Sequence, residues 1–518
     1  MSTSTQPLWQ SRLLLPATGR QLLDNVHCDV CIIGGGIAGL SVAYHLARQR
    51  KSVLVLEAQS EIGAGVTGCT SAHLSCILDD RFAHLESIRG IENVRKAYLS
   101  HAEAIDTIEA IQKREGIECE FQRVNGHLFA PDSNGDDILL EEARICEAAR
   151  IRFDWTDHLP WKSPRRNPVL LFPDQAQFHP HKYMVGLAGA LRMLGVDLYT
   201  GCRVDHVESG LQPRVMTENG RMVTAEAVVL ATNTPINSGI TLNARIASYS
   251  TYVIAAELPI TDVSPGLFWD TEDPYHYVRF ANGDNDESLV IIGGEDHKTG
   301  QEQNPAECYD RLESWARERF PRFGPIRHRW DGQVFETLDG LALIGPDASA
   351  GKNMYVVTGD SGMGLTHGTM AGSIISDAII GHENPYAELY DPARLPIAAT
   401  GTFLRENANT AGQYLDWVTG GDDRDPFMLT AGEGMVLRRG LVKLAVCRIE
   451  GEEGLMVLSA TCPHFGGIVH WNNADQTWDC PCHGSRFAAD GRVLHGPATT
   501  NMKAATIVSD NPAELKLA

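Results

Sequence analysis

The chain has 518 residues, 43% hydrophobic and 21% charged, with a formal net charge of −22. That length exceeds what one core serves and implies about two or three domains of ordinary globular composition. The acidic balance argues against nucleic acid and anionic membrane surfaces as partners. No run of about eighteen apolar residues indicates a membrane span. Residues 1–10 lack a basic stretch followed by an apolar core, so no secretory signal is read and a cytoplasmic location is expected. The 12 cysteines should then stay reduced, or bind metal where they cluster. Cys28, Cys31, Cys202 and Cys447 sit singly among apolar residues, whereas Cys462, Cys480 and Cys482 lie close together.

Residues 1–26 read as an arm leading into a first strand. Residues 30–57 form a βαβ pattern: an apolar run, Gly34-Gly35-Gly36-Ile37-Ala38-Gly39, a segment of helical spacing, and a second apolar run closed by Glu57. Gly34 permits the tight turn, Gly36 lets a pyrophosphate approach the backbone, and Gly39 lets helix and strand pack. The helix start, with Ile37 and Ala38, faces the phosphates, and Glu57 is placed for the adenosine ribose. The loop 63–73 is built of small residues (among them Gly68, Thr70 and Ser71, ending at His73), which suits a backbone lying against a flat ligand.

Residues 81–150 are helical and charged, interrupted by a strand-like 126–130, and read as a lid or substrate domain. A helix is expected over 184–194, then strands over 196–199 and 203–207, and a buried strand delivering Ala231-Thr232-Asn233 to the sheet's carboxyl edge. Over residues 247–294 the alternation changes to antiparallel strands that would roof an active site, with Tyr252, His276, Tyr277 and Arg279 as pocket candidates. Asp339-Gly340, Gly345-Pro346 and the glycine-rich 359–366 then precede a helical run to residue 380.

The glycine motif with Glu57, the Ala231–Asn233 strand end, the Asp339-Gly340 turn and the strand–helix junction at 359–366 together resemble the flavin-dependent D-amino-acid oxidase superfamily, which includes glycine, sarcosine and γ-glutamylputrescine oxidases. The resemblance covers roughly residues 27–385. It implies FAD, an α/β Rossmann-like FAD domain (about 27–80, 175–245 and 335–385) with an interleaved antiparallel-sheet substrate domain (about 81–174 and 246–334), and oxidation of a C–N bond. The cofactor-binding positions it implies are Gly34, Gly36, Ile37, Ala38, Gly39, Glu57, Ala58, Gly68, Thr70, Ser71, His73, Val204, Ala231, Thr232, Asn233, Gly340, Gly359, Gly362, Met363, Gly364, Leu365 and Thr366. Where members binding an amino-acid carboxylate use arginines, this chain has Pro346 and Gly362, so an amine is expected over an amino acid unless Arg279 takes the carboxylate. Some relatives attach the flavin to a histidine near His73; the register is about one residue off, and a non-covalent flavin with His73 in the pocket is expected.

Residues 386–424 read as a connector, polar and carrying Pro392 and Pro396, with a short helix around 401–417. Short strands follow, and then Cys462-Pro463-His464, fifteen residues, and Cys480-Pro481-Cys482-His483. This C-x-H…C-x-x-H spacing resembles a Rieske 2Fe–2S ligand set over about 425–518, an all-β domain with Cys462 and Cys480 on one iron and His464 and His483 on the other. The rival is structural zinc, which favours paired C-x2-C with H-x3-5-H. Gly467 and Phe487 stand where high-potential relatives carry a disulfide cysteine and a tyrosine, so an intermediate or low potential is expected. The functional expectation is an enzyme taking hydride from a small amine or amino acid to FAD and passing electrons through the cluster to an external acceptor (a ferredoxin, a quinone or another protein). The alternative is an electron-transfer reductase feeding a partner oxygenase, for which a second dinucleotide fingerprint would be expected and is not found. A self-contained oxygenase would need a histidine pair four or five apart, which is missing.

Overall fold

Three apolar runs buried on both faces, Val26–Ile33, Val53–Leu56 and Met222–Leu230, pair in parallel, as continuous hydrophobic strands do when helices cover them. Their register sets Ile33 against Leu56 and Leu230, so Gly34, Glu57 and Ala231 emerge side by side at one carboxyl edge. Met354–Thr358 extends the sheet in parallel, Leu343–Pro346 closes that side antiparallel, and Asp197–Tyr199 closes the other. The computed structural model describes residues 5–11, 19–132, 134–161, 168–236, 242–262, 264–282, 288–395, 397–422, 424–507 and 515–517. Parts of the expected arm (1–4 and 12–18), and Pro396 of the connector, lie outside the described residues.

The helix Ile37–Arg48 leaves this edge and packs against Gly364–Ile380. Contact is close because Gly368 and Gly372 carry no Cβ: one on Gly372 would sit 2.9 Å from Ser41 O. A second, nine-stranded sheet stands over the first, in the order Ile326–Thr337, Ile246–Leu258, Ser288–Lys298, His276–Asn282, Leu267–Asp270, Gln122–Phe129, Val169–Gln177 and His73–Leu74, with Asp154–Thr156 beside Val169–Gln177. The stretch expected as a helical lid thus contributes Gln122–Phe129 to the roof, while its helices Ile91–Glu115 and Asn134–Ala149 flank it. The helix expected at 184–194 runs Pro180–Met193, since Pro180 suits the first helical position and the His179 imidazole accepts the Lys182 N–H.

Within the arm, a short helix at Leu8–Ser11 docks by burying Leu8 and Trp9, and Trp9 Nε1 donates to Thr70 O at 2.6 Å. Beyond the connector helix Thr400–Gln413 lie a three-stranded sheet (Gly434–Arg439, Val442–Cys447, Met456–Ser459) and a four-stranded one (His470–Asn472, Thr477–Asp479, Arg486–Ala488, Val493–His495). Among the described residues no helix is long and apolar enough to cross a membrane.

Candidate functional site

The edge of the parallel sheet opens into a cavity, and both long helices that start there do so without a side-chain cap: Gly36 precedes Ile37–Arg48 and Met363 precedes Gly364–Ile380. Thr67 Oγ1 accepts the Ile37 N–H at 3.2 Å, and the other first-turn N–H groups and positive ends suit a pyrophosphate and an electron-rich ring. Gly34, at φ +112°, turns so tightly that a Cβ would overlap the Ala231 carbonyl oxygen, and one on Gly39 would overlap Gly34 O. Glu57 accepts from the Gly35 and Gln59 N–H groups, each at 2.7 Å, and burial pushes its carboxyl up.

Of the cofactor positions read from the sequence, Gly34, Gly36, Ile37, Ala38, Glu57, Ala58, Thr70, Ser71, His73, Val204, Ala231, Thr232, Asn233, Gly362, Met363, Gly364 and Leu365 line this cavity. Gly39, Gly68, Gly340, Gly359 and Thr366 do not. They act behind the wall: Gly340 and Gly359 adopt φ near +70° at turns (+69° and +67°), and Thr366 accepts or donates to His101 Nδ1 at 2.7 Å.

The far end of the cavity is roofed by the antiparallel sheet. Tyr277 lies across Gly293, where any Cβ would strike its ring, and its hydroxyl sits 3.1 Å from Thr251 Oγ1. Tyr275 donates to Asp79 at 2.9 Å. His73 is fixed through both ring nitrogens, to Ser71 Oγ at 2.9 Å and Val278 O at 3.3 Å, and burial lowers it to about 3, leaving it neutral.

Three pocket candidates are corrected. Tyr252 and His276 fall on the opposite face of their strands by simple alternation. Tyr252 stacks on His297 at 5.5 Å, and His276 pairs with Asp270 and Glu272 and stacks on Trp315. Arg279 shares Tyr277's face but lies two residues farther along the strand, donating to the Ser71, Ala72 and Phe178 carbonyls under Trp9. All three bonds leave from Nη1, and Arg279 is not among the described residues that line the cavity. Sequence reasoning missed Asp79, Asp296, Asp360, Trp269 and Gln333, which line the cavity from loops and strands with no local motif.

The second constellation is built from two loops that close alike. Cys462 N–H donates to Gly467 O and Gly466 N–H to Cys462 O; Cys480 N–H donates to Ser485 O and Gly484 N–H to Cys480 O, all within 2.8–3.0 Å. Gly466 and Gly484 carry φ of +76° and +78° to make the bends. Cys462 and Cys480 are buried, while the His464 and His483 rings meet at right angles with centroids 5.1 Å apart. Two thiols inside and two imidazoles toward the surface is a donor set that fits a Rieske cluster. Tyr414 and Trp417 clasp the first loop from the connector, donating to the Phe465 and Gly466 carbonyls at 2.9 and 2.8 Å.

The two centres share a wall. Gln333 lines the cavity, and its Nε2 donates to Gly484 O at 2.6 Å, one residue from His483. Leu494 and His495 of the C-terminal sheet, with Gly496, Ala498 and Thr499 just after it, complete the same cavity. Arg486, buried, joins Asp475 and Asp479 of its own sheet to Asp331 of the roof.

Comparison with known proteins agrees with both centres. The family profile described as FAD dependent oxidoreductase matches residues 29–378, and that described as Rieske [2Fe-2S] domain matches 427–507. The chain is 29% identical over 502 residues to YhfW, a Rieske 2Fe-2S iron-sulfur protein of Bacillus subtilis, covering 96% of each. It is 27% identical to the gamma-glutamylputrescine oxidoreductase of Escherichia coli over 72% of this chain and 88% of that one. Glycine oxidase from Geobacillus kaustophilus shares the fold, with a TM-score of 0.60 at 18% identity over 71% of this chain and 99% of its own.

Proposed function

Because the chain belongs to the FAD dependent oxidoreductase family and carries a Rieske [2Fe-2S] domain at its C-terminal end, we propose that it is an amine dehydrogenase that hands electrons to an outside acceptor. Its cofactors are FAD and a Rieske 2Fe–2S cluster, and members of the family act on C–N bonds. FAD, which Gly34, Gly36 and Glu57 would hold, would supply the acceptor for a hydride from the carbon beside nitrogen, and a cluster on the two Cys–His loops would supply a one-electron relay. On the substrate the C–H bond breaks with its electron pair leaving, the nitrogen lone pair closes a C=N bond, and water then releases ammonia and an aldehyde.

The chain's own part is to bind and orient. Tyr275, Tyr277 and Trp269 wall the reacting end, and hydride transfer from a neutral amine needs alignment more than a strong base. His73, with both nitrogens engaged, lines a non-covalent flavin. Cys462 and Cys480 hold one iron, and His464 and His483 the other; burial keeps His464 neutral, down to about 4, with a lone pair available for iron. An amine is favoured over an amino acid because Arg279 is not among the described lining residues, while Arg203, the arginine that is, acts on Glu57 at the dinucleotide end.

The observation that carries this reading is the Gln333–Gly484 contact, one side chain touching both the flavin cavity and a cluster loop. The test is to mix holoenzyme with amines under nitrogen and follow absorbance: the flavin should bleach first and the cluster second. Bleaching by NADH and by no amine or amino acid would overturn it in favour of the reductase.

A further inference from the structure

Among the described residues, the reacting end of the cavity is lined by carboxyl groups with no lysine or arginine beside them, Arg203 lying at the dinucleotide end. Asp79, Asp296 and Asp360 line it together. Burial and their neighbouring carboxylates push Asp79 up to about 8 and Asp296 to about 7, while burial alone raises Asp360 to about 6. Such groups sit poorly in a protein unless a cation joins them. Two acceptors there are buried with no donor among the described groups: Asp296 Oδ1, and the amide oxygen of Gln333, a residue only 3% exposed. An occupant that brings N–H donors and positive charge satisfies these oxygens and lets the carboxyls ionise. The oxidised nitrogen cannot supply that charge, because it must give up its proton before its lone pair can form C=N.

We propose, resting on the amine-oxidising reading above, that the substrate is an alkyl diamine or polyamine, whose second, protonated nitrogen is held by Asp79 and Asp296. An ammonium offers three donors for the orphaned oxygens. Tyr275, Tyr277 and Trp269 give aromatic faces along which methylenes and a cation both pack well. A substrate carboxylate would instead bring further acceptors to an end where Asp296 Oδ1 and Gln333 Oε1 already lack donors.

The experiment is anaerobic flavin reduction of the holoenzyme by 1-aminobutane, 1,4-diaminobutane, spermidine, glycine and sarcosine, with calorimetric binding of 1,4-diaminobutane as a readout independent of turnover. The diamine or triamine should exceed the monoamine by roughly tenfold to a hundredfold in reduction rate over apparent Kd. Asp296→Asn and, separately, Asp79→Asn should bring that ratio toward one and abolish diamine binding at unchanged flavin and iron content. Equal or better reduction by the monoamine or the amino acids would overturn this inference while leaving C–N oxidation standing. Reduction by NADH alone would remove the underlying reading with it. Should one variant fail to fold, the other and the wild-type substrate series decide the matter.

Discussion

Single residues settle what each centre can hold. Gly34→Ala would drive a methyl group into the Ala231 carbonyl at a backbone angle L-residues avoid. The expected outcome is a protein purified with iron and little FAD, read from its absorbance ratio. His276 serves stability rather than chemistry. Although burial opposes its charge, Asp270 and Glu272 raise it from 6.5 to about 9. A folded value above the unfolded one means its contribution is complete below about 6.5 and is lost as pH rises through about 9. His276→Gln should cost about 1–3 kcal/mol at pH 6, and the difference in Tm from wild type should shrink by pH 10. The raised cavity carboxylates act in the same sense: being protonated more readily when folded, they lower stability as pH climbs from the ordinary carboxylate range toward about 8.

At the scale of elements, the glycine turn, Glu57 and the two Cys–His loops were legible because each is a local device, with a spacing that one βαβ unit or one hairpin imposes. Asp79, Asp296 and Gln333 were not. An acid after Leu78, another on Ser288–Lys298 and a glutamine on Ile326–Thr337 become neighbours only through strand pairing across the sheet, which leaves no trace in spacing. Sidedness was lost for a similar reason: at the register Tyr277↔Gly293, alternation sends His276 outward, and the apolar run alone does not say which face is roofed. The contact between sheets also carries its own predictions. Arg486→Met leaves Asp331, Asp475 and Asp479 facing one another in the interior, and breaking such a group costs about 3–5 kcal/mol, so the C-terminal domain should melt separately and yield first to protease. Gln333→Leu removes the bridge to Gly484. After photoreduction, which bypasses the amine, electron arrival at the cluster should slow about tenfold while the cluster's spectrum is kept; a tenfold change in rate corresponds to about 1.4 kcal/mol.

For the whole molecule, the proposed function divides the labour between the two-electron chemistry of C–N bonds and a one-electron relay. His483→Ala should abolish the Rieske electron-spin signal and leave the flavin able to be reduced once by amine, but not reoxidised at the normal rate by a one-electron acceptor. Stopped-flow single turnover set against steady state separates the two. The imidazole side of the Cys–His loops lies toward the surface near Phe465, away from the buried cysteines, so under the proposed function an acceptor would meet the protein at a place apart from the flavin cavity.

Five residues of the C-terminal domain, 494–496, 498 and 499, are bricks in the chamber that receives the dinucleotide. A C-terminal domain that walls this chamber is expected to slow the cofactor's departure: radiolabelled FAD added to finished enzyme should exchange slowly, and Arg486→Met, which loosens that wall, should hasten the exchange.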